Sequence, residues 1–201
     1  MTGKRIFDLC FTIPGVTLLL PLYLAIALWI KLDSPGPVLF RQQRVGRFGR
    51  PFQVLKFRTM VDDAEKQGAK ITVAGDSRIT RSGAFLRKYK LDELPQLLNV
   101  LKGEMSLVGP RPEVPEYVKL YPRDSYELVL SVPPGITDQA SIEFSDENDQ
   151  LAKAEDPQRE YVEKILPRKL ACYEAYVQDR SLWGDLKVIL MTIRKLAIGG
   201  R

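Results

Sequence analysis

Asp92 and Glu93 stand side by side in a stretch otherwise made of cations and apolar residues, Leu86-Arg87-Lys88-Tyr89-Lys90-Leu91-Asp92-Glu93-Leu94-Pro95-Gln96. At the start of an apolar-periodic helix, free backbone N–H groups and the positive end of the dipole favour negative charge, so an aspartate there is expected to stay ionised. An ionised carboxylate can attack phosphorus or hold a metal. Adjacent helical positions point in different directions, which gives Asp92 and Glu93 different tasks. Further on, Pro110 and Pro112 fix φ on both sides of Arg111 and present its planar charged fork with little freedom. Phosphate or a nucleotide is the natural partner of such a fork. The same residues also suit a plainer use, a helix cap followed by a rigid turn, and on residue chemistry alone the two readings stand level.

Composition narrows the chemistry further. The 201 residues contain no histidine, which removes Ser-His-Asp and Cys-His nucleophile systems and disfavours a conventional catalytic zinc site. Any nucleophile or base is then Asp, Glu, Lys, Ser or Tyr. Cys10 lies in an apolar run and Cys172 in an expected helix near the other end, an arrangement that suits a reducing compartment better than a disulfide. The net charge of +5 suits nucleic acid, anionic lipid or a phosphorylated substrate equally. Neither an internal repeat nor a low-complexity tract is visible.

The elements that must position these residues begin with a membrane-like segment. Leu9 to Ile30 carries no charge over 22 positions, long enough to cross a bilayer. Pro14-Gly15 and Pro21 interrupt it, and cations flank it on both sides: Lys4 and Arg5 before, Lys31, Arg41, Arg44, Arg47 and Arg50 after. Positive flanks prefer the cytoplasmic side, so a kinked helix that enters one leaflet and turns back satisfies both, whereas a straight span strands Lys4 and Arg5 outside. Residues 37 to 60 read as a β-hairpin around the loop Gly46 to Pro51. Alternation sets Leu55 and Phe57 on one face and Lys56 and Arg58 on the other, a two-cation strip for a diphosphate or for solvent.

Val61 to Gln67 reads as a short polar helix, and the loop Gly75 to Gly83 offers Arg78 and Arg81 to phosphate or lipid headgroups. Helices are expected over Glu113 to Tyr121 and Ser125 to Leu130. Pro133 to Ala140 reads as a stiff turn leading into an acidic loop at Asp146 to Asp149. Asp156-Pro157 starts a helix running to about Gln178 with a kink at Pro167. A last helix from Ser181 places Leu182, Leu186, Ile189, Ile193 and Leu196 on one face and is amphipathic and basic. The expected fold class is α+β, mostly helical, with a small β-hairpin, an N-terminal re-entrant membrane helix at 1–32, interfacial amphipathic helices and a catalytic domain at 33–201.

Several segments together resemble one family. Lys56-Phe57-Arg58-Thr59-Met60, Asp76-Ser77-Arg78-Ile79-Thr80, Leu91 to Gln96, Met105-Ser106-Leu107-Val108-Gly109-Pro110-Arg111-Pro112 and Pro134-Gly135-Ile136-Thr137 occur in the order found in bacterial sugar transferases, the monotopic phosphoglycosyl transferases. The resemblance covers nearly the whole chain and corresponds to the small, catalytic-core form. It implies transfer of a sugar 1-phosphate from a UDP-sugar to undecaprenyl phosphate with release of UMP, the first membrane step of glycoconjugate assembly, ahead of downstream glycosyltransferases. By the same resemblance Asp92 is the nucleophile that forms an aspartyl-phosphosugar, with Mg²⁺ as cofactor, Asp92 as its ligand, and Glu93 assisting as a metal-positioning group or base. Arg111 with Pro110 and Pro112 is to hold the nucleotide, and Lys56, Arg58, Arg78 and Arg87 are candidates for phosphate contacts. The implied setting is the cytoplasmic face of the bacterial inner membrane, in contact with phospholipid.

The chain departs from the family pattern twice. Leu20-Pro21 stands where Ser-Pro is frequent, and Asp138-Gln139-Ala140-Ser141 replaces the common Gly-Trp after Pro-Gly-Ile-Thr. The second departure resembles the subgroup of protein glycosylation that transfers N,N′-diacetylbacillosamine phosphate, as in N-linked glycan assembly; another UDP-sugar is the alternative. A non-enzymatic basic module on a membrane surface also explains the charge and both amphipathic ends, and a membrane phosphatase could use the same aspartyl chemistry. No nucleic-acid motif is present and none is expected as a partner. Binding by charge alone should fall steeply with salt, whereas Mg²⁺-dependent turnover should not vanish in parallel.

Overall fold

The computed structural model describes residues 2–62, 64, 76–144 and 147–199. Helix α1, Thr2–Asp33, is one continuous element in which Pro14 and Pro21 stand without ending it. The expected break is thus absent as a division of the helix. A proline removes one backbone bond but does not separate the turns on either side when the rest of an apolar segment must keep its backbone paired. It is the one described helix long and apolar enough to cross a membrane. At about 48 Å by helical rise, a straight crossing would set its ends on opposite sides of a bilayer.

Both ends instead rest on the same folded body. Near the start, Asp8 accepts from Ser106 Oγ at 2.9 Å and from the Leu107 amide at 3.2 Å, and Arg5 donates to the carbonyls of Val100 and Leu101. At the far end Asp33 accepts from the amide and hydroxyl of Ser82, both at 2.8 Å. Ile26 and Ile30 bury against Phe57 and Leu86, while Leu18, Leu24, Leu28 and Leu32 stay exposed.

The hairpin forms as expected, β1 at Leu39–Val45 antiparallel to β2 at Pro51–Phe57, with Leu39 opposite Phe57 and Val45 opposite Pro51. Helix α2, Arg81–Lys88, is capped by the Thr80 hydroxyl, which accepts from the Gly83 amide. Glycine is required at 83 because a Cβ there would lie 2.0 Å from the Thr59 carbonyl oxygen. Helix α3, Gln96–Lys102, packs its Val100 on Val54 of β2 and on Met105. Strand β3, Ser106–Val108, follows; α4, Pro115–Val118, and α5, Arg123–Val129, occupy the stretches expected to be helical.

The expected stiff turn at 133–140 is corrected in part. Gly135–Thr137 is strand β4, parallel to β3, with Ser106 opposite Gly135 and Val108 opposite Thr137. The prolines stiffen its approach, but the backbone groups of Gly135 to Thr137 find partners 29 residues upstream, which local turn chemistry does not reveal. After α6, Gln139–Glu143, comes α7, Glu147–Ala152, so the acidic segment is helical from Glu147; Asp146 lies outside the described residues, as does most of the short helix expected at Val61 to Gln67.

Asp156 caps α8, Pro157–Glu160, by accepting from the amides of Gln158 and Arg159. A π-helical turn at Tyr161–Ile165, with the Leu166 amide donating to the Tyr161 carbonyl, runs on into α9, Leu166–Asp179, so the helical run continues past Pro167, which has no amide to donate. Helix α10, Leu182–Gly199, closes the described chain. The largest core cluster joins Val45, Val118, Val129, Phe144, Leu151, Tyr161, Leu166, Leu170 and Tyr173.

Candidate active site

Three elements converge on the two carboxylates. Lys90 adopts the left-handed conformation, φ 55° and ψ 22°, an unfavourable one for a lysine, and turns the chain sharply after α2. A single 3-10 turn, Leu91–Glu93, follows, and α3 begins only after Pro95. Asp92 therefore caps no helix, which corrects the expectation that a helix N-terminus keeps it ionised.

Asp92 is 9% exposed, and its Oδ1 is buried without a hydrogen-bond partner. Burial, and then the charge of Glu93, push its carboxyl above the ordinary aspartate value, against the pull of Lys56, Lys90 and Arg87. Glu93 has the opposite fate. Burial pushes it up, but Arg111 and Lys56 more than offset that and hold it well below the usual range. Lys56 Nζ lies 2.8 Å from Glu93 Oε1, the Arg111 Nη2 donates to the same oxygen, and Nη1 lies 3.3 Å from Oε2. Two neighbouring carboxyls are thus driven apart, one locked as an anion between cations and the other unpaired, a pattern that separates roles in acid, base and nucleophilic chemistry.

Backbone packing sets Arg111 in place. The Gly109 amide donates to Thr137 O at 3.1 Å, and the Gly135 amide to Pro110 O at 2.9 Å. A Cβ at Gly135 would fall 2.1 Å from the Gly109 nitrogen, so this crossing needs glycine. Pro110-Arg111-Pro112 and Pro134 to Thr137 therefore form one structural unit. Arg44 on β1 donates to the Pro112 carbonyl at 3.1 Å from behind.

The remaining cations divide. Arg87 donates to Thr59 Oγ1 at 2.8 Å and lies close enough to Asp92 for each to shift the other. Arg78 pairs with Asp76 at 2.6 Å at the edge of the segment outside the described residues. Arg58 lies elsewhere: it is 5% exposed, and its guanidinium donates to the carbonyls of Ser34, Pro35 and Pro37, clamping the exit of α1. It lies one residue past the end of β2, where alternation with Lys56 no longer holds.

Asn99 is a site-positioning residue that sequence reasoning missed. Fully buried, it accepts from the Leu55 amide at 3.0 Å and donates to Gln53 O and Glu104, tying α3 to the strand that carries Lys56. Its signal was present, a lone amide in the apolar run Leu97-Leu98-Asn99-Val100-Leu101. Asp138 is buried as well and caps α6 by accepting from the Ser141 amide at 2.9 Å; burial pushes its carboxyl up while Ser141 and Arg111 pull it down. Among the described residues no cluster of three or more acidic or cysteine side chains could by itself enclose a metal. The orphaned Oδ1 of Asp92 can still supply one oxygen ligand, which suits a cation that takes its other ligands from phosphates and water.

Residues 1–199 match a family model described as bacterial sugar transferase. The chain is 39% identical over 198 residues to the UDP-N-acetylgalactosamine-undecaprenyl-phosphate N-acetylgalactosaminephosphotransferase of Aeromonas hydrophila, covering 98% of this chain and 44% of that protein. It is 41% identical over 197 residues to the UDP-glucose:undecaprenyl-phosphate glucose-1-phosphate transferase of Caulobacter vibrioides, covering 96% of this chain and 69% of that one. An uncharacterized sugar transferase of Bacillus subtilis is 36% identical over 198 residues and is covered over 89% of its length. The chain thus spans less than half the length of the first of these relatives.

Proposed function

The chain belongs to the bacterial sugar transferase family, and from that premise we propose that it moves a sugar 1-phosphate from a UDP-sugar to undecaprenyl phosphate, releasing UMP. The single observation that carries the mechanism is the contrast between Asp92, unpaired and buried, and Glu93, locked between Lys56 and Arg111.

In the first step an Asp92 carboxylate oxygen attacks the phosphorus bearing the sugar. A P–O bond to Asp92 forms, the bond to UMP breaks, and UMP leaves with its electron pair. In the second step an oxygen of the lipid phosphate attacks the same phosphorus and displaces Asp92, giving the lipid diphosphosugar. Arg111 holds the nucleotide diphosphate, and Glu93 fixes the Arg111 fork and the Lys56 ammonium toward it, which excludes water from the same positions. Arg87 offers a further cation beside Asp92. Asp92 would hold Mg²⁺ through its unpaired oxygen, and the ion would supply charge neutralisation for the diphosphate and the leaving nucleotide.

The lipid acceptor places this site at headgroup depth. Support comes from α1, whose two ends contact one body while its middle exposes leucines, as expected of a segment that enters and leaves one leaflet from the cytoplasmic face. For the sugar, Asp138-Gln139 in place of Gly-Trp favours N,N′-diacetylbacillosamine and hence the first membrane step of N-linked protein glycan assembly, ahead of downstream glycosyltransferases. The test is UMP release by detergent-solubilised protein with Mg²⁺ and undecaprenyl phosphate, using the UDP forms of N,N′-diacetylbacillosamine, N-acetylgalactosamine and glucose in parallel. UMP release that depends on lipid and is greatest with the first sugar is expected. Release of inorganic phosphate without UMP would mean a phosphatase, and a faster rate with either other sugar would overturn the sugar assignment.

A further inference from the structure

Asp8 and Asp185 are 3% and 2% exposed, and the proposed transfer steps use neither. Lys4 joins them, its Nζ 3.0 Å from Asp8 Oδ1 and 2.8 Å from Asp185 Oδ2. Ser106 Oγ donates to Asp8 Oδ2 at 2.9 Å, and the Leu107 amide donates to Oδ1 at 3.2 Å. Tyr176 Oη, from α9, lies 2.9 Å from Asp185 Oδ1 and 3.0 Å from Val108 O. All three residues of β3 are therefore held by one cluster, built from the first turns of α1, from α9 and from α10.

The contacts fall where β3 has no strand beside it. The Ser106 amide points to β4, donating to Pro134 O at 2.8 Å, and successive amides of a strand point to opposite sides. The Leu107 amide is thus on the free edge, where the Asp8 carboxylate supplies the acceptor that a third strand would give. One amide needs only a neutral acceptor; a buried carboxylate that also binds a hydroxyl and an ammonium ties several elements together. Strand β4 is itself held to α10 by the Thr137 and Thr192 hydroxyls, 2.7 Å apart. Arg111 follows three residues after Val108, and the intervening Gly109 and Pro110 are bonded to Thr137 and Gly135, which leaves little slack between β3 and the Arg111 backbone. Arg5, beside Lys4, donates to the carbonyls of Val100 and Leu101 at the end of α3, the helix that follows Asp92 and Glu93. The first turns of α1 thus grip both the helix behind the reacting carboxyl and the strand behind Arg111.

We propose that Asp8 is a positioning residue for the transfer reaction, holding β3 so that Arg111 stands where it meets the nucleotide diphosphate. The proposal rests on the role given to Arg111 above. Asp8 itself touches no substrate, since its oxygens are taken by Lys4, Ser106 and Leu107. Its loss frees the edge of β3, and a small displacement away from the chemistry is enough to weaken a contact that depends on a fixed fork.

The test is steady-state UMP release by the full chain in detergent, with UDP-sugar and undecaprenyl phosphate varied in turn. It compares wild type, Asp8→Asn, Ser106→Ala, Arg111→Lys and the double variant Asp8→Asn with Arg111→Lys. Asp8→Asn should raise KM for the UDP-sugar about fivefold, with kcat and KM for undecaprenyl phosphate within about twofold of wild type. Ser106→Ala keeps the carboxylate, carries the test where Asp8→Asn does not fold, and should raise the same KM about threefold. In the Arg111→Lys background Asp8→Asn should add less than about twofold, because the residue it acts through is already altered. A purely structural role reduces the amount of active protein, and so kcat, at constant KM. Unchanged KM in the variants, whether or not kcat falls, would overturn the proposal, as would an increase of about fivefold on top of Arg111→Lys. A wild type that releases no UMP from any UDP-sugar would instead overturn the functional reading itself, and the proposal with it.

Discussion

Glu93 and Asp92 are neighbours with opposite electrostatic fates. Glu93 Oε1 accepts from both Lys56 and Arg111, while Oδ1 of Asp92 is buried and accepts from nothing. The cations around the pair serve the residue that is not proposed to react, which leaves the other with a free lone pair.

This asymmetry has a thermodynamic signature. Because the Asp92 carboxyl is raised in the folded protein, the folded state binds the extra proton, and stability falls as pH rises from the unfolded value near 4 through the raised one. Asp92→Asn removes that loss. The variant should be inactive yet more stable than wild type at pH 8, by about 1 kcal/mol, the order of an unsatisfied buried polar group. Thermal unfolding of both proteins from pH 4 to 8 reads this directly: the curves should diverge as pH rises, and parallel curves would contradict it.

Glu93 has the reverse sign. Its lowered pKa gives stability that is present above the unfolded value near 4.3 and is lost as pH falls through the folded one. Glu93→Gln leaves Lys56 and Arg111 without their anion and should cost about 2 kcal/mol, below the figure for a fully buried pair because these side chains are 17 to 31% exposed. Removing its charge also removes a cause of the raised Asp92 pKa. The acid limb of kcat/KM in the residual activity should therefore move to lower pH, and a limb at the wild-type position would show that Glu93 does not act on Asp92.

Arg111 and Arg58 should separate cleanly in kinetics. Arg111→Lys loses the fork and should raise KM for the UDP-sugar about tenfold, roughly the worth of one charge-assisted contact. Arg58→Lys keeps at most part of a three-carbonyl clamp and should lower stability by about 2 kcal/mol while leaving KM near wild type. Steady-state kinetics with thermal melts of both variants make the comparison.

Two glycines offer a matched test of backbone approach. Gly135→Ala places a Cβ 2.1 Å from the Gly109 nitrogen and should separate β3 from β4, lowering both stability and the affinity for UDP-sugar. Gly15→Ala meets nothing within 4 Å on α1 and should be neutral or stabilising by about 0.5–1 kcal/mol. In the same detergent the melting temperature of Gly135→Ala should fall, while that of Gly15→Ala should stay at or above the wild-type value.

The local signals were legible in the sequence and the long-range ones were not. The hairpin announced itself by two β-rich runs around a glycine loop, and the Asp156-Pro157 start by its cap. Asp92 and Glu93 stood out by type, but their electrostatics did not, because the partners that decide them, Lys56 and Arg111, lie 37 and 18 residues from Glu93. The capping reading of Asp92 failed because Lys90 turns left-handed and Pro95 delays α3, so the carboxyl meets packed side chains instead of free amides. Arg58 misled because strand alternation was carried one residue past the end of β2. The pairing of Pro134 to Thr137 with β3 depends on two glycine backbones touching, which no periodicity encodes.

The most direct measurement is the intact mass of the protein after exposure to UDP-sugar and Mg²⁺ without undecaprenyl phosphate, followed by peptide mapping. A covalent mechanism through Asp92 predicts an increase equal to one sugar phosphate, located on the peptide containing Asp92, cleared when undecaprenyl phosphate is added, and absent in Asp92→Asn. An unmodified wild-type protein that still releases UMP at full rate with lipid, or an adduct that persists in Asp92→Asn, would contradict it.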